Sequence, residues 1–165
     1  MKKEEVPKSG RVAALIIDFL IYIPIFDQLI AEELKIVANY MNIIDAEPGE
    51  ILFKEGDRGD YVCFIVDGIL EVIKQTEGGK TVVISTISKG RSIGEMSIID
   101  DSPRSATVKS KTNATLITLT QEKLDIILEE HCAIGAKILK GISRLLSMNM
   151  RKTSSRLADY MLPLH

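Results

Sequence analysis

The sequence predicts a mainly β domain, a sandwich or a barrel, with α-helices before and after the strand region. Within residues 42–120, short apolar runs that favour β-branched residues alternate with turn signals at about 8–12-residue spacing, which is typical of sandwiches and barrels. On either side of that region, apolar residues recur at helical spacing. The 165 residues suffice for one domain with its own core.

Residues 1–41 are predicted to form a helical lead-in. Residues 13–20 suit a helix, Pro24 marks a break, and residues 31–41 again carry apolar side chains at helical spacing. The apolar stretch 12–26 follows a partly basic start, so a signal peptide is an alternative interpretation. We favour a buried helix that packs on the domain, because the stretch is interrupted and shorter than the ~20 apolar residues of a spanning helix.

Residues 42–120 are predicted to form the β region. The predicted strands are residues 51–53, 62–66, 69–73, 81–87, 106–110 and 114–119. Glu77-Gly78-Gly79-Lys80 is typical of a hairpin connection between two of them.

Residues 121–165 are predicted to form C-terminal helices that serve dimerisation or signalling. Thr120 suits the N-cap of the first helix, and a longer helix is expected from residue 133 to about residue 150. Positions 138, 142, 145 and 149 alternate four and three apart, as in a coiled-coil seam, so we expect a homodimer through residues 134–149. Asn149 is the polar residue of this seam. It either fixes the register of the two helices or contacts a ligand; the alternative is that it is simply a polar residue at the edge of the helix.

Composition excludes several classes of function. The formal net charge of −2 argues against a nucleic-acid binder defined by bulk charge. Two Cys and two His residues are too few for a disulfide framework, a four-thiolate metal site or a His-rich metal pocket, and they give little support to Ser-His catalysis. These counts favour reduced cysteines in an intracellular, cytoplasmic protein, and they leave few classes of enzyme or metal site open. The cations after residue 133 are interpreted as a solvated helix face rather than a nucleic-acid surface.

Residues 93–108 contain the charged and glycine residues that best indicate a ligand-binding site. Gly94-Glu95 opens a helix-compatible segment, Pro103 ends it, and Arg104 follows just before a predicted strand. The first turn of a helix and the planar donors of an arginine both suit a phosphate. An ionised Glu95 would repel a bare phosphate but would accept a hydrogen bond from a hydroxyl, and a phosphate with a sugar hydroxyl implies a nucleotide. From these residues alone, a turn with a solvated Arg and Glu is the alternative.

The pattern Gly94-Glu95, a spacer, then Arg104-Ser105-Ala106 resembles the phosphate-binding cassette of cyclic-nucleotide-binding domains, the family of the bacterial catabolite activator protein. Pro48-Gly49-Glu50-Ile51-Leu52-Phe53 and Glu55-Gly56-Asp57 are similar to the early strand and turn of that family. The resemblance implies a double-stranded β-helix, or jelly roll, with its cassette at residues 93–106 and a long C-terminal helix. It also implies a regulatory sensor that is not an enzyme, holds no metal or cofactor, and transmits ligand binding through its C-terminal helices.

The resemblance further implies roles for single residues. Glu95 would bind the ribose 2′-hydroxyl, and Arg104 would pair with the cyclic phosphate. The backbone N–H groups of Met96 and of Ser105 or Ala106, with the Ser105 hydroxyl, would bond phosphate oxygens. The expected ligand-binding residues are Val72, Ile84, Ser85, Ile93, Gly94, Glu95, Met96, Ser97, Arg104, Ser105, Ala106 and Asn149. Asn149 falls where the activator protein contacts adenine, although that protein has hydroxyl residues there.

The expected ligand is cAMP, with cGMP as the other cyclic nucleotide. Residues 155–162 resemble the first helix of the activator's DNA-binding half, and no recognition helix follows, so no DNA binding by this chain alone is expected. The alternatives are the sensor half of a truncated transcription regulator, a jelly-roll metal-dependent enzyme, a redox or haem sensor, and a scaffold whose pocket has lost binding.

Overall fold

A computed structural model describes residues 10–161 and shows a β-sandwich placed between N-terminal helices and a long C-terminal helix. The N-terminal elements are α1 (Gly10–Leu20), a 3₁₀-helix (Pro24–Phe26) and α2 (Ala31–Ala38). The central elements are β1 (Asn42–Ala46), β2 (Ile51–Phe53), β3 (Tyr61–Asp67), β4 (Ile69–Gln75), β5 (Thr81–Ser88), β6 (Ser92–Ile93), α3 (Ser97–Asp100), β7 (Thr107–Ser110) and β8 (Ala114–Thr120). The C-terminal elements are α4 (Gln121–Glu130) and α5 (Cys132–Met161).

The strands of the described region form two antiparallel four-stranded sheets. The first sheet has the order β1-β8-β3-β6, and the second has the order β2-β7-β4-β5. The predicted hairpin joins β4 to β5, with Gln75 opposite Thr81 and Thr76 N donating to Lys80 O at 2.8 Å. The mainly β class, the sandwich of jelly-roll type and the flanking helices are confirmed.

Strands β3 and β8 are buried on both faces. Side chains on one face of these strands belong to a hydrophobic cluster under the helices. Side chains on the other face belong to a second cluster between the two sheets. The members under the helices are Val62, Phe64, Ile117 and Leu119, and those between the sheets are Cys63, Ile65, Ala114 and Leu116. Burial on both faces explains why these two strands are nearly continuous apolar runs in the sequence.

The apolar N-terminal stretch packs on the domain as predicted. In α1, the side chains of Ile16, Phe19 and Leu20 are buried in the cluster under the helices. Phe26 of the 3₁₀-helix lies against Phe64 of β3, with ring centroids 5.2 Å apart. None of the helices in residues 10–161 is both long enough and apolar enough to cross a membrane.

Helix α5 differs from its prediction, because it runs unbroken from Cys132 to Met161. The predicted helix ends near residue 150, and residues 155–162 were expected to form a separate helix, of which residue 162 lies outside the described region. Residues 142–161 contain neither glycine nor proline, so nothing in this segment interrupts the hydrogen-bond ladder.

The first half of the predicted coiled-coil seam packs inside this chain. Ile134, Ile138 and Ile142 are buried in the cluster that also holds the N-terminal helices. These side chains are therefore committed to the chain's own core, which corrects the expectation that they face a second copy. At Gly141 the helix backbone touches the 3₁₀-helix, since an added Cβ would lie 2.1 Å from the carbonyl oxygen of Ile25.

Two ion pairs also connect α5 to the N-terminal helices. Lys137 Nζ lies 2.8 Å from both carboxylate oxygens of Glu33, and this hydrogen bond lowers the pKa of that carboxyl. Arg144 donates to the two carboxylate oxygens of Asp27 at 3.2 and 2.9 Å. The first half of α5 is thus held by apolar and charged contacts together.

Three smaller differences have local causes. Helix α2 ends at Ala38 rather than Met41, because its last residues form i→i−3 bonds, with Met41 N donating to Ala38 O at 3.3 Å. Strand β1 was not predicted as a strand, since Asp45 divides its apolar residues and only Ala46 is buried. Strand β6 is two residues long and was also not predicted.

Candidate functional site

The cassette residues form the connection between β6 and β7, with the single turn of α3 in its middle. Asp101 ends that turn in the left-handed region at φ 57°, and its carboxylate accepts a hydrogen bond from the Gln121 side chain of α4. Ser102 N donates to Asp100 Oδ1 at 2.9 Å. The turn is therefore fixed at its end by side-chain contacts.

Arg104 is the central residue of this connection, and only 3% of its surface is exposed. Nη1 donates to Gly94 O at 3.2 Å, and Nη2 donates to Tyr61 O at 2.7 Å. The guanidinium carbon lies 3.9 Å from the ring centroid of Phe53, a favourable cation–π distance. Burial lowers the pKa of the guanidinium, although an arginine stays charged in proteins.

Glu95 is buried beside the same connection, with 6% of its surface exposed. Burial raises the pKa of its carboxyl, against the opposing effects of its own backbone N–H and of Arg91 and Arg104. Among residues 10–161, no ion pair within 4.0 Å joins Glu95 to either arginine. The carboxylate therefore lies near positive charge without direct pairing.

Glu95 and Arg104 share an unusual feature. Within the described residues, Glu95 Oε2 and Arg104 Nε are the buried side-chain atoms that have no hydrogen-bond partner. An unsatisfied buried polar group costs about 1–3 kcal/mol, and more when it is charged, so such atoms commonly mark a functional site. The acceptor and the donor would each be satisfied by a ligand with complementary groups.

Two glycines allow the backbone to pack closely against these side chains. Gly94 has φ +94°, and an added Cβ would lie 2.5 Å from Arg104 Nη1. At Gly59, an added Cβ would lie 2.1 Å from the Cβ of Ser97 and 3.1 Å from Arg104 Nε. Gly94 is one of the predicted site residues, whereas Gly59 was not predicted.

A cavity of about 590 Å³ lies between the cassette and α5. The sequence-predicted residues that line it are Val72, Ile93, Gly94, Glu95, Met96, Ser97, Arg104, Ser105, Ala106 and Asn149. The lining residues that were not predicted are Phe53, Ile99, Asp100, Val108, Leu146, Met150, Thr153, Ser154 and Leu157. Several of these lie on α5 at positions four and three apart, so helical periodicity in the sequence continues the predicted stripe beyond residue 149.

Ile84 and Ser85 lie apart from this cavity. They belong to β5, an edge strand of the second sheet, and the side chain of Ile84 is 55% exposed. Both residues line a neighbouring cavity of about 730 Å³, together with Glu95 and Asn149. Ile84 and Ser85 therefore line only the neighbouring cavity, whereas Glu95 and Asn149 line both.

The first cavity offers three kinds of contact. Arg104 supplies a charged donor for an anion, Glu95 supplies an acceptor for a hydroxyl, and apolar side chains of β4 and α5 supply surface for a flat ring. Such a small number of convergent polar groups in an apolar cavity is typical of a small-molecule site. The described residues contain no group of three or more His, Cys, Asp or Glu that could hold a metal ion.

The raised pKa of Glu95 predicts a pH-dependent stability in protein without nucleotide. Between pH 4.5, the ordinary value, and the higher native pKa, the native state binds more protons than the unfolded state, so stability falls as pH rises. Glu95→Gln lacks this dependence. We expect the melting temperature of Glu95→Gln, relative to that of the original chain, to increase as pH rises through this window and then level off. A pH-independent difference in thermal unfolding would contradict the burial argument.

Comparison with known proteins identifies related sequences. The family model described as "cyclic nucleotide-binding domain" matches residues 43–131. A cAMP-dependent protein kinase regulatory subunit from Mycosarcoma maydis is 34% identical over 100 residues, which is 61% of this chain and 19% of the relative. A cGMP-dependent protein kinase from Plasmodium berghei is 29% identical over 110 residues, which is 67% of this chain and 12% of the relative. The chain spans less than a third of the length of these curated relatives.

A solved structure has the same fold over nearly the whole chain. A cyclic nucleotide-binding domain from Methylobacillus flagellatus KT matches with a TM-score of 0.83 and 28% sequence identity. The match covers 96% of this chain and 89% of that one. The similarity thus extends over the N-terminal helices, the sandwich and most of α5.

Proposed function

This chain belongs to the cyclic nucleotide-binding domain family, and we propose that it is a non-catalytic sensor that binds cAMP between the cassette and α5. The observation that carries the proposal is the pair of unsatisfied buried atoms, Glu95 Oε2 and Arg104 Nε, at one cavity. The cavity volume of about 590 Å³ lies within the usual range for small-molecule sites.

In this proposal Arg104 binds the cyclic phosphate. A guanidinium has five N–H donors, of which two are engaged with the carbonyl oxygens of Gly94 and Tyr61. The remaining donors of this preorganised group are available to an anion, and the backbone N–H groups of Met96 and of Ser105 or Ala106 would add to them. A charged donor in a site of low polarity binds an anion strongly.

Glu95 binds the ribose 2′-hydroxyl in the same arrangement. An ionised carboxylate only accepts hydrogen bonds, so it suits a hydroxyl donor and disfavours a second phosphate oxygen at that position. The buried Oε2 would gain the hydrogen-bond partner that it lacks among the described residues. Glu95 would therefore place the sugar, and Arg104 would place the phosphate.

The base would lie against α5. Asn149, Leu146 and Met150 line the cavity on that side. An amide offers both a donor and an acceptor, so Asn149 can bond the edge of either purine. We assign cAMP rather than cGMP as the ligand because Arg104-Ser105-Ala106 resembles the corresponding triplet of the cAMP-binding activator.

Helix α5 would transmit binding, because it contributes both to the cavity and to the N-terminal core. Its first half packs through Ile138 and Gly141, and its second half lines the cavity through Asn149 and Leu157. A nucleotide can shift the position of α5 only by as much as its affinity differs between the two positions. Homodimerisation through residues 134–149 stays a prediction, although Ile134, Ile138 and Ile142 are buried within this chain.

The test of this function is calorimetric titration with cAMP, cGMP, AMP and 2′-deoxy-cAMP. We expect cAMP to bind most tightly and the loss of the 2′-hydroxyl to weaken binding about 10–100-fold, as for a hydrogen bond to a charged group. In Glu95→Gln the difference between cAMP and 2′-deoxy-cAMP should shrink to less than about tenfold, because a neutral amide oxygen accepts a weaker hydrogen bond than a carboxylate. Glu77→Gln, in the exposed hairpin turn, serves as the matched control and should retain it. Equal weak binding of cAMP, cGMP and AMP would refute the proposal.

A further inference from the structure

The neighbouring cavity of about 730 Å³ is strongly cationic. It adjoins the cassette cavity and shares with it the lining residues Val72, Ile93, Glu95, Asn149 and Thr153. The cations that line it are Lys89, Arg91, Lys152 and Arg156. Glu95 is the acid among its described lining residues, and it lies at the boundary with the first cavity.

The cations come from two elements that are held independently. Lys89 and Arg91 belong to the turn between β5 and β6, where Gly90 adopts φ +83°. This turn is bonded to β3, since Gly90 N donates to Ile65 O and Ile65 N donates to Arg91 O, both at 2.9 Å. The backbone that carries the first two cations is thus fixed before any ligand binds.

Lys152 and Arg156 lie on α5, four residues apart, so their side chains share one face of the helix. Like charges at this spacing destabilise a helix slightly. No ion pair within 4.0 Å joins any of the four cations to an acid of residues 10–161, whereas Lys137 and Arg144 on the same helix are paired.

This concentration of positive charge contrasts with the whole chain, whose formal net charge is −2. Four like charges that line one cavity repel one another, and an anion in the cavity would offset this repulsion. The guanidinium groups of Arg91 and Arg156 are also matched to phosphate oxygens in shape.

We propose that this cavity is a second anion subsite that takes a phosphate group in addition to the one assigned to Arg104. The inference rests on the proposed function, because the two cavities share Glu95 and Asn149. The second phosphate has two chemical sources: it is part of the same ligand, as in a cyclic dinucleotide, or it belongs to a separate phosphate anion.

The test compares two double variants of the full chain by calorimetry at low ionic strength. Lys152→Gln with Arg156→Gln removes two cations of the subsite. Lys140→Gln with Arg151→Gln removes the same charge from exposed positions of α5 that line neither cavity. The probes are cAMP, a cyclic dinucleotide and pyrophosphate.

We expect the subsite variant to bind the cyclic dinucleotide or pyrophosphate about tenfold more weakly than the control variant, since two charge-assisted contacts are lost from a partly exposed cavity. If pyrophosphate binds more weakly to the subsite variant than to the control variant, the subsite takes a separate anion. If only the cyclic dinucleotide binds more weakly, the subsite takes a second phosphate of the same ligand. Equal weakening in both variants, or no binding of either probe to the original chain, would overturn the subsite. Retained cAMP binding in that case would leave the sensor function intact, whereas absent cAMP binding would refute the function itself.

Discussion

Arg104→Leu is expected to weaken cAMP binding by about 10²–10³-fold. Removing one partner of a buried ion pair leaves the other charge uncompensated, at a cost of roughly 3–5 kcal/mol. Arg104 is suited to this role because it is 3% exposed and its Nε has no hydrogen-bond partner among residues 10–161. Calorimetric titration of the variant with cAMP measures the loss directly.

The same substitution also removes structural contacts, so folding must be measured alongside binding. The carbonyl oxygens of Gly94 and Tyr61 lose their donor when Arg104 becomes leucine. Arg104→Lys keeps the charge and loses the planar fork, so it should fold and bind with an intermediate affinity. Arg58→Leu makes the same chemical change at an exposed position and should bind as the original chain does. Unchanged cAMP affinity in a folded Arg104→Leu variant would remove Arg104 from the site.

Gly141→Ala is expected to lower the free energy of unfolding by about 3 kcal/mol, at the upper end of the usual cost of overpacking. The added Cβ would lie 2.1 Å from the carbonyl oxygen of Ile25 and 2.8 Å from its carbonyl carbon. Because these are backbone atoms on a neighbouring element, one whole segment must move to make room. For a chain of this length the loss corresponds to a fall in melting temperature of about 6–12 °C.

The expected sign makes this result informative. In an exposed helix, alanine is about 1 kcal/mol more favourable than glycine, so the same substitution would normally stabilise α5. Lys140→Ala, at the adjacent exposed position, is the control and should leave the melting temperature nearly unchanged. A melting temperature of Gly141→Ala at or above that of the original chain would show that α5 does not pack against the 3₁₀-helix as described.

The strands with strong local patterns were predictable, and the weakly patterned ones were not. Strands β3 and β8 are long apolar runs because both of their faces are buried, so they stand out in the sequence. Strand β6 has two residues and is defined by its pairing with Cys63 and Phe64 of β3. A pairing partner so distant in the chain leaves no local pattern.

The two halves of the candidate site also differ in how far they could be predicted from the sequence. The cassette residues from Gly94 to Ala106 are close in sequence, so their pattern could be read directly. Leu146, Met150 and Leu157 line the same cavity from α5, and only the fold brings them there. Helical periodicity identifies an apolar face but does not say what covers it.

Ile138 and Ile142 illustrate this limit. Their spacing correctly predicted a buried helical face, and a second copy of the chain was the expected partner. The structure instead places the N-terminal helices against them. A long-range contact of this kind depends on the path of the whole chain and not on the spacing within one helix.

The unbroken length of α5 has a mechanical consequence. From Gly141, where the helix touches the 3₁₀-helix, to Met161 there are 20 residues, and a straight helix of that length extends about 30 Å. Rotation about Gly141 by about 5° would therefore displace the far end by about 3 Å, whereas a side chain half-way along, such as Arg151, would move about half as far. A break near residue 150 would have uncoupled the two ends. In the proposed transmission, a continuous helix would convert a small rotation about Gly141 into a displacement at its far end that is large enough to make or break a packing contact.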